Sequence, residues 1–136
     1  MNENKLSHEV LGAAIEVHKE LGPGLLESVY EEALVVELLN RGINVARQKE
    51  VPVIYKGKHL QSSPRLDLLI EQLVIVEVKA VEKLLGIHEA QLLTYLRLTN
   101  TKLGLLINFN SNTLRNAIRR RAFASFALLR WGSVFS

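Results

Sequence analysis

The chain has 136 residues, 48% hydrophobic and 23% charged, a balance that suits one folded core and argues against disorder. It contains no cysteine, which excludes a disulfide framework, a thiolate nucleophile and a zinc–thiolate centre. The net charge is only +3 but unevenly spread: all 14 acidic residues precede residue 90, and the stretch from residue 90 onward holds seven Lys and Arg and no acid.

A basic half facing a polyanion explains that asymmetry, and so does a basic end packed on acidic helices; charge alone leaves both open. The opening "MNENKLSHEV" lacks a basic stretch followed by an apolar one, so no secretory leader is expected. No run approaches the roughly 20 apolar residues of a membrane span. A cytoplasmic location without membrane association is the expectation.

In chain order, Leu6, Val10, Ala13, Ala14, Val17 and Leu21 recur at helical spacing and predict a first helix over about residues 4–21. "LGPG" (Leu21–Gly24) breaks it, because Pro23 has no N–H to give a continuing helix. A second helix follows over 26–41, with Leu26, Val29, Tyr30, Ala33, Leu34 and Leu38 as its apolar stripe and Gly42 as its terminator. The pattern then turns to β. "NVARQKEVPVIYKG" reads as one strand or two broken near Pro52, "RLDLLI" and "LVIVEVKA" as a hairpin around Glu71 and Gln72. "GIHEAQLLTYLRLTN" predicts a helix, "KLGLLINF" a buried strand, and "NTLRNAIRRRAF" the start of a last helix. The expected order is α-α-β-β-β-α-β-α, a mixed β-sheet flanked by helices in one α/β domain spanning 1–136.

The strand "VIVEVKA" carries the chemistry. Val74, Ile75, Val76 and Val78 call for burial, while Glu77 and Lys79, two residues apart, leave one face together. Asp67 stands ten residues earlier. A three-residue loop Glu71–Leu73 sets Asp67 opposite Glu77, whereas a two-residue loop sends them to opposite faces. Two facing carboxylates repel unless a cation resolves them, and Mg²⁺, content with one or two carboxylates plus waters, is the natural one. Such an ion lowers the pKa of a bound water, and a lysine beside it orients that water or stabilises charge developing on a phosphate, so the trio forms a coherent phosphodiester-cleaving site. The bland alternative is a buried ion pair, which desolvation makes a poor stabiliser.

"D-x9-E-V-K" across a hairpin resembles the PD-(D/E)XK nuclease superfamily, and "GLLESVY" (Gly24, Glu27, Tyr30) resembles the signature of its GxxExxY branch. The likeness covers about residues 7–110; the segment 119–136 differs from the family's usual ending. The resemblance implies a restriction-endonuclease-like core and a metal-dependent nuclease. By it Asp67 and Glu77 would hold Mg²⁺ (with Mn²⁺ as a substitute), Lys79 would be the catalytic lysine, and Glu27 a helical acid supporting metal or water. Gln91 and Tyr95 would match a Q-x3-Y motif, with Gln91 supporting catalysis alongside Glu27. Tyr30, Tyr95 and Arg65 are then expected at the substrate, a nucleic acid, DNA ahead of RNA. A non-catalytic nucleic-acid-binding or accessory protein that retains the nuclease fold is the alternative.

Gln91 and Tyr95, at i and i+4, share a helix face that His88 joins. His8, His18, His59 and His88 show no metal-ligand spacing, and Ser62 and Ser63 have no base partner. Arg119–Arg121 read either as phosphate grips or as a solvated helix end. The apolar "AFASFALL" that follows needs a surface to cover it, on the core or, as a homodimer, on a second copy.

Overall fold

Asn2 starts the first helix: its side-chain oxygen accepts the Lys5 N–H at 2.8 Å, and Glu3 sits at the positive end of the helix dipole. In the computed structural model, which describes residues 1–124, this helix is α1 (Glu3–Leu21). Its stripe of Leu6, Val10, Ala13, Ala14 and Val17 is buried. The second helix, α2 (Glu27–Asn40), ends in a Schellman turn: Gly42 N–H donates to Leu39 O and Ile43 N–H to Leu38 O. That turn requires φ +75° at Gly42, a conformation glycine adopts without strain. Leu21, Leu26 and Val29, expected in the buried stripes, stay 39%, 74% and 40% exposed; Leu21 and Val29 line a surface groove between α1 and α2, and Leu26 stands ahead of α2 as its N-cap.

The remaining elements are β1 (Val45–Glu50), β2 (Ile54–Tyr55), β3 (Lys58–His59), β4 (Arg65–Ile70), β5 (Val74–Lys79), α3 (Gly86–Thr99), β6 (Leu103–Asn108), a 3-10 turn (Leu114–Ala117) and β7 (Ile118–Ala122). β2 and β3 form a small separate hairpin; the other strands make a five-stranded mixed sheet in the order β1-β4-β5-β6-β7. Only β5 and β6 are parallel, joined by α3 as the crossover such a pair needs. Helices α1 and α2 cover one face, where Val74, Val76, Val78, Leu105 and Ile107 pack; α3 covers the other over Ile75 and Leu106. Covered on both sides, β5 and β6 are written as nearly continuous apolar runs. Gly104 of β6 permits the close approach of α3, since a Cβ there would lie 2.7 Å from Leu92 Cδ1.

The end of the described chain departs from the predicted last helix. Leu114, Ala117 and Ile118 carry a helical spacing, but it extends only through the 3-10 turn, and Ile118–Ala122 instead pairs antiparallel with β6. A strand here gives the backbone groups of β6 hydrogen-bond partners that a helix could not supply. Alternation also separates the arginines: Arg119 and Arg121 reach Glu89 on α3, and Arg120 reaches Asn4 on α1. The dimerising role expected for the apolar tail falls, beyond residue 124, outside the described residues.

Candidate functional site

The β4–β5 hairpin turns through Glu71, Gln72 and Leu73, with Glu71 and Gln72 at positive φ (51° and 58°), and pairs Ile70 with Val74, Leu69 with Ile75 and Leu68 with Val76. The next step of that register sets Asp67 opposite Glu77. There the backbone ladder stops and side chains take over. Asp67 N–H donates to Glu77 Oε2 at 2.7 Å, and Val78 N–H donates to Asp67 Oδ2 at 2.8 Å. Both carboxylates therefore occupy the gap between two central strands.

Burial there is costly for charge. Glu77 is 3% exposed, and its carboxyl is pushed from 4.5 to about 8, first by burial and then by the neighbouring Asp67 charge; the Asp67 N–H and Lys79 oppose the shift. Asp67 is raised too, chiefly by burial, with the Val78 N–H and Lys79 pulling it back. Lys79 follows Glu77 on the same face, its side chain 17% exposed, with Nζ 3.9 Å from Glu27 Oε1. Glu27 opens α2, and its charge also acts on both carboxyls. Glu27, Asp67, Glu77 and Lys79 thus gather at one place, drawn from α2, β4 and β5.

Tyr95 reaches the same place from α3. Its phenol is raised by burial first and then by the charges of Glu77 and Asp67, with Gln91 beside it opposing. Gln91 itself is exposed one turn earlier. Arg65 stands exposed at the start of β4 and donates from Nη1 to Gln48 O at 3.2 Å.

Tyr30 is brought elsewhere. It is fully buried, stacks on Phe109 at 4.8 Å, and its hydroxyl donates to Gly22 O at 2.5 Å while accepting the Leu25 N–H at 3.1 Å. Its hydroxyl and ring serve the turn before α2 and leave no surface for a substrate. His88 turns away as well, its Nδ1 accepting the Leu85 N–H at the start of α3. His18 holds Ser111 O through Nε2.

Two residues that sequence reasoning passed over complete the surroundings. Glu31, 5% exposed, accepts from Arg47 Nε at 2.8 Å and Gln48 Nε2 at 2.9 Å. Gln48 Nε2 also lies 3.3 Å from Asp67 Oδ1. The available signal for Glu31 was its position four residues after Glu27, on the same helix face. Gln48 carried none, because its contact depends on a strand pairing.

The family model of the PD-(D/E)XK nuclease superfamily matches residues 4–121 of this chain. No curated protein and no solved structure matches it.

Proposed function

The chain belongs to the PD-(D/E)XK nuclease superfamily, whose members are usually nucleases using divalent metals, and from that premise we propose that it is a metal-dependent nuclease hydrolysing nucleic-acid phosphodiesters. The "GLLESVY" signature supports assigning it to the GxxExxY branch. The observation that carries the reading is the interlocked pair Asp67 and Glu77, with Lys79 two residues on.

The donor set fits a hard divalent cation. Two carboxylates share a desolvated gap that makes both harder to ionise, and a cation between them removes that penalty. Among the described residues no third His, Asp or Glu completes an all-protein cage, and two carboxylates suit Mg²⁺, which keeps several waters. Asp67 and Glu77 would hold the ion, which supplies polarisation of the phosphodiester and a more acidic attacking water. Lys79 would steady negative charge on the phosphate, with Glu27 beside it fixing the ammonium group. Tyr95 and Gln91 from α3, and Arg65 from the exposed start of β4, would meet the substrate strand. A purely structural pair of carboxyls would leave the cost of desolvation and mutual repulsion to be offset by two backbone hydrogen bonds alone.

The test is incubation of purified protein with Mg²⁺ or Mn²⁺ and labelled single-stranded DNA, duplex DNA and RNA. Cleavage that needs metal and is lost in Lys79→Ala and Asp67→Asn supports the reading. Salt-sensitive binding without cleavage, unchanged by Glu77→Gln, would favour the accessory-protein alternative instead.

A further inference from the structure

Five non-glycine residues have positive φ in the described chain: Gln48, Lys56, Glu71, Gln72 and Asn100. Four of them lie in turns or at the end of α3; Gln48, at φ 52°, stands inside β1. A non-glycine held in that region is strained and persists only where surrounding structure enforces it. The β1–β4 register records the same disturbance: Arg47 pairs with Leu68 and Lys49 with Leu66, while Gln48 and Asp67 between them make no ladder pair.

The kink has a geometric consequence. In a regular strand adjacent side chains leave opposite faces. Here Arg47 Nε and Gln48 Nε2 both reach Glu31 Oε1, at 2.8 and 2.9 Å. Gln48 is thereby aimed at the gap, with its Nε2 also 3.3 Å from Asp67 Oδ1. A carboxamide nitrogen suits this place because it offers two donors and no charge, so it bridges two carboxylates without adding to their repulsion. Arg47 balances the buried Glu31 charge from the other side.

We infer that Gln48 is a positioning residue, which locks the Asp67 carboxylate in the orientation that receives a divalent cation by tethering it to Glu31 on α2. The inference rests on the two-carboxylate metal site proposed above. Asp67 Oδ2 is already fixed by the Val78 N–H, and Gln48 fixes Oδ1, so rotation of the carboxylate about its last bond is blocked from both ends. Such outer partners of a ligating carboxylate commonly govern about 10–100-fold of metal affinity.

The experiment is calorimetric titration of the full chain with Mn²⁺ alone, with thermal unfolding measured alongside. Gln48→Gly removes the side chain but adopts the observed φ without strain, so it separates the tether from the backbone. Gln48→Asn, which tolerates the same backbone but is too short to bridge, serves if the glycine variant does not fold. Both are expected to bind Mn²⁺ about 10–100-fold more weakly than the unaltered chain, with Lys49→Ala unchanged. Wild-type affinity in a folded Gln48→Gly or Gln48→Asn protein overturns the inference while leaving the metal site standing. No Mn²⁺ binding by the unaltered chain overturns the site and the inference together.

Discussion

Asp67 and Glu77 are locked across the open end of the β4–β5 hairpin, the Asp67 amide held by the Glu77 carboxylate at 2.7 Å and the Val78 amide by the Asp67 carboxylate at 2.8 Å. Two acidic side chains thus replace the next rungs of a β-ladder. The arrangement satisfies backbone donors that would otherwise be buried without partners, and it concentrates negative charge where water is scarce.

That concentration makes the metal-free protein sensitive to alkali. The Glu77 carboxyl is raised from 4.5 to about 8 on folding, so the folded state binds more protons than the unfolded chain between those values. Its contribution to stability is full below 4.5 and is lost as pH rises toward 8; Asp67, also raised, acts in the same direction. In chelator, the melting temperature should fall across this window, and Glu77→Gln should flatten the fall. A melting temperature rising from pH 5 to pH 8 in the unaltered protein, with Glu77→Gln following the same curve, would contradict the assignment.

Metal should reverse the trend. A cation competes with the Glu77 proton, so Mn²⁺ or Mg²⁺ is expected to raise the melting temperature more at pH 8 than at pH 5, and binding should release protons. Calorimetry in two buffers of different ionisation enthalpy counts those protons. Equal stabilisation at both pH values, with none released, would count against the paired carboxylates as ligands.

Tyr30→Phe separates a structural from a substrate-facing tyrosine. Losing the hydroxyl frees Gly22 O and Leu25 N–H, at a cost of about 0.5–1.5 kcal/mol in denaturant unfolding. Nucleic-acid affinity of the folded variant should match that of the unaltered chain, because the ring is fully buried against Phe109. A large loss of affinity with unchanged stability would return Tyr30 to the substrate.

Gly104→Ala probes the contact that seats α3. The added methyl would meet Leu92 Cδ1 at 2.7 Å in a covered core, and overpacking of this kind costs about 1–3 kcal/mol. Chemical denaturation should show the loss with an unchanged slope. A neutral result would mean that α3 shifts freely, and with it Tyr95.

Much of this was legible because it follows from local periodicity. The helical spacing of Leu6, Val10, Ala13 and Val17, the Gly42 stop, the apolar runs of β5 and β6, and the placement of Glu77 and Lys79 on one strand face are properties of short stretches. The final element departs from its local pattern for a reason that lies outside it. Leu114, Ala117 and Ile118 carry a genuine helical spacing, but the partner that turned Ile118–Ala122 into a strand is β6, some 15 residues earlier.

The sequence by itself determined the chemistry on offer: no thiol, a strand bearing Glu77 and Lys79, an aspartate ten residues before, and a helix beginning near Glu27. Only the tertiary structure decided which of these groups meet. The three-residue hairpin loop chose the register that sets Asp67 against Glu77, and a two-residue loop would have parted them. Packing of α2 over the sheet brought Glu27 to Lys79 and Glu31 to Gln48, and it buried Tyr30 of the same helix in the core. Local pattern fixes which way a side chain faces within its own element, but contacts between elements depend on loop length and on the competition for burial among all of them.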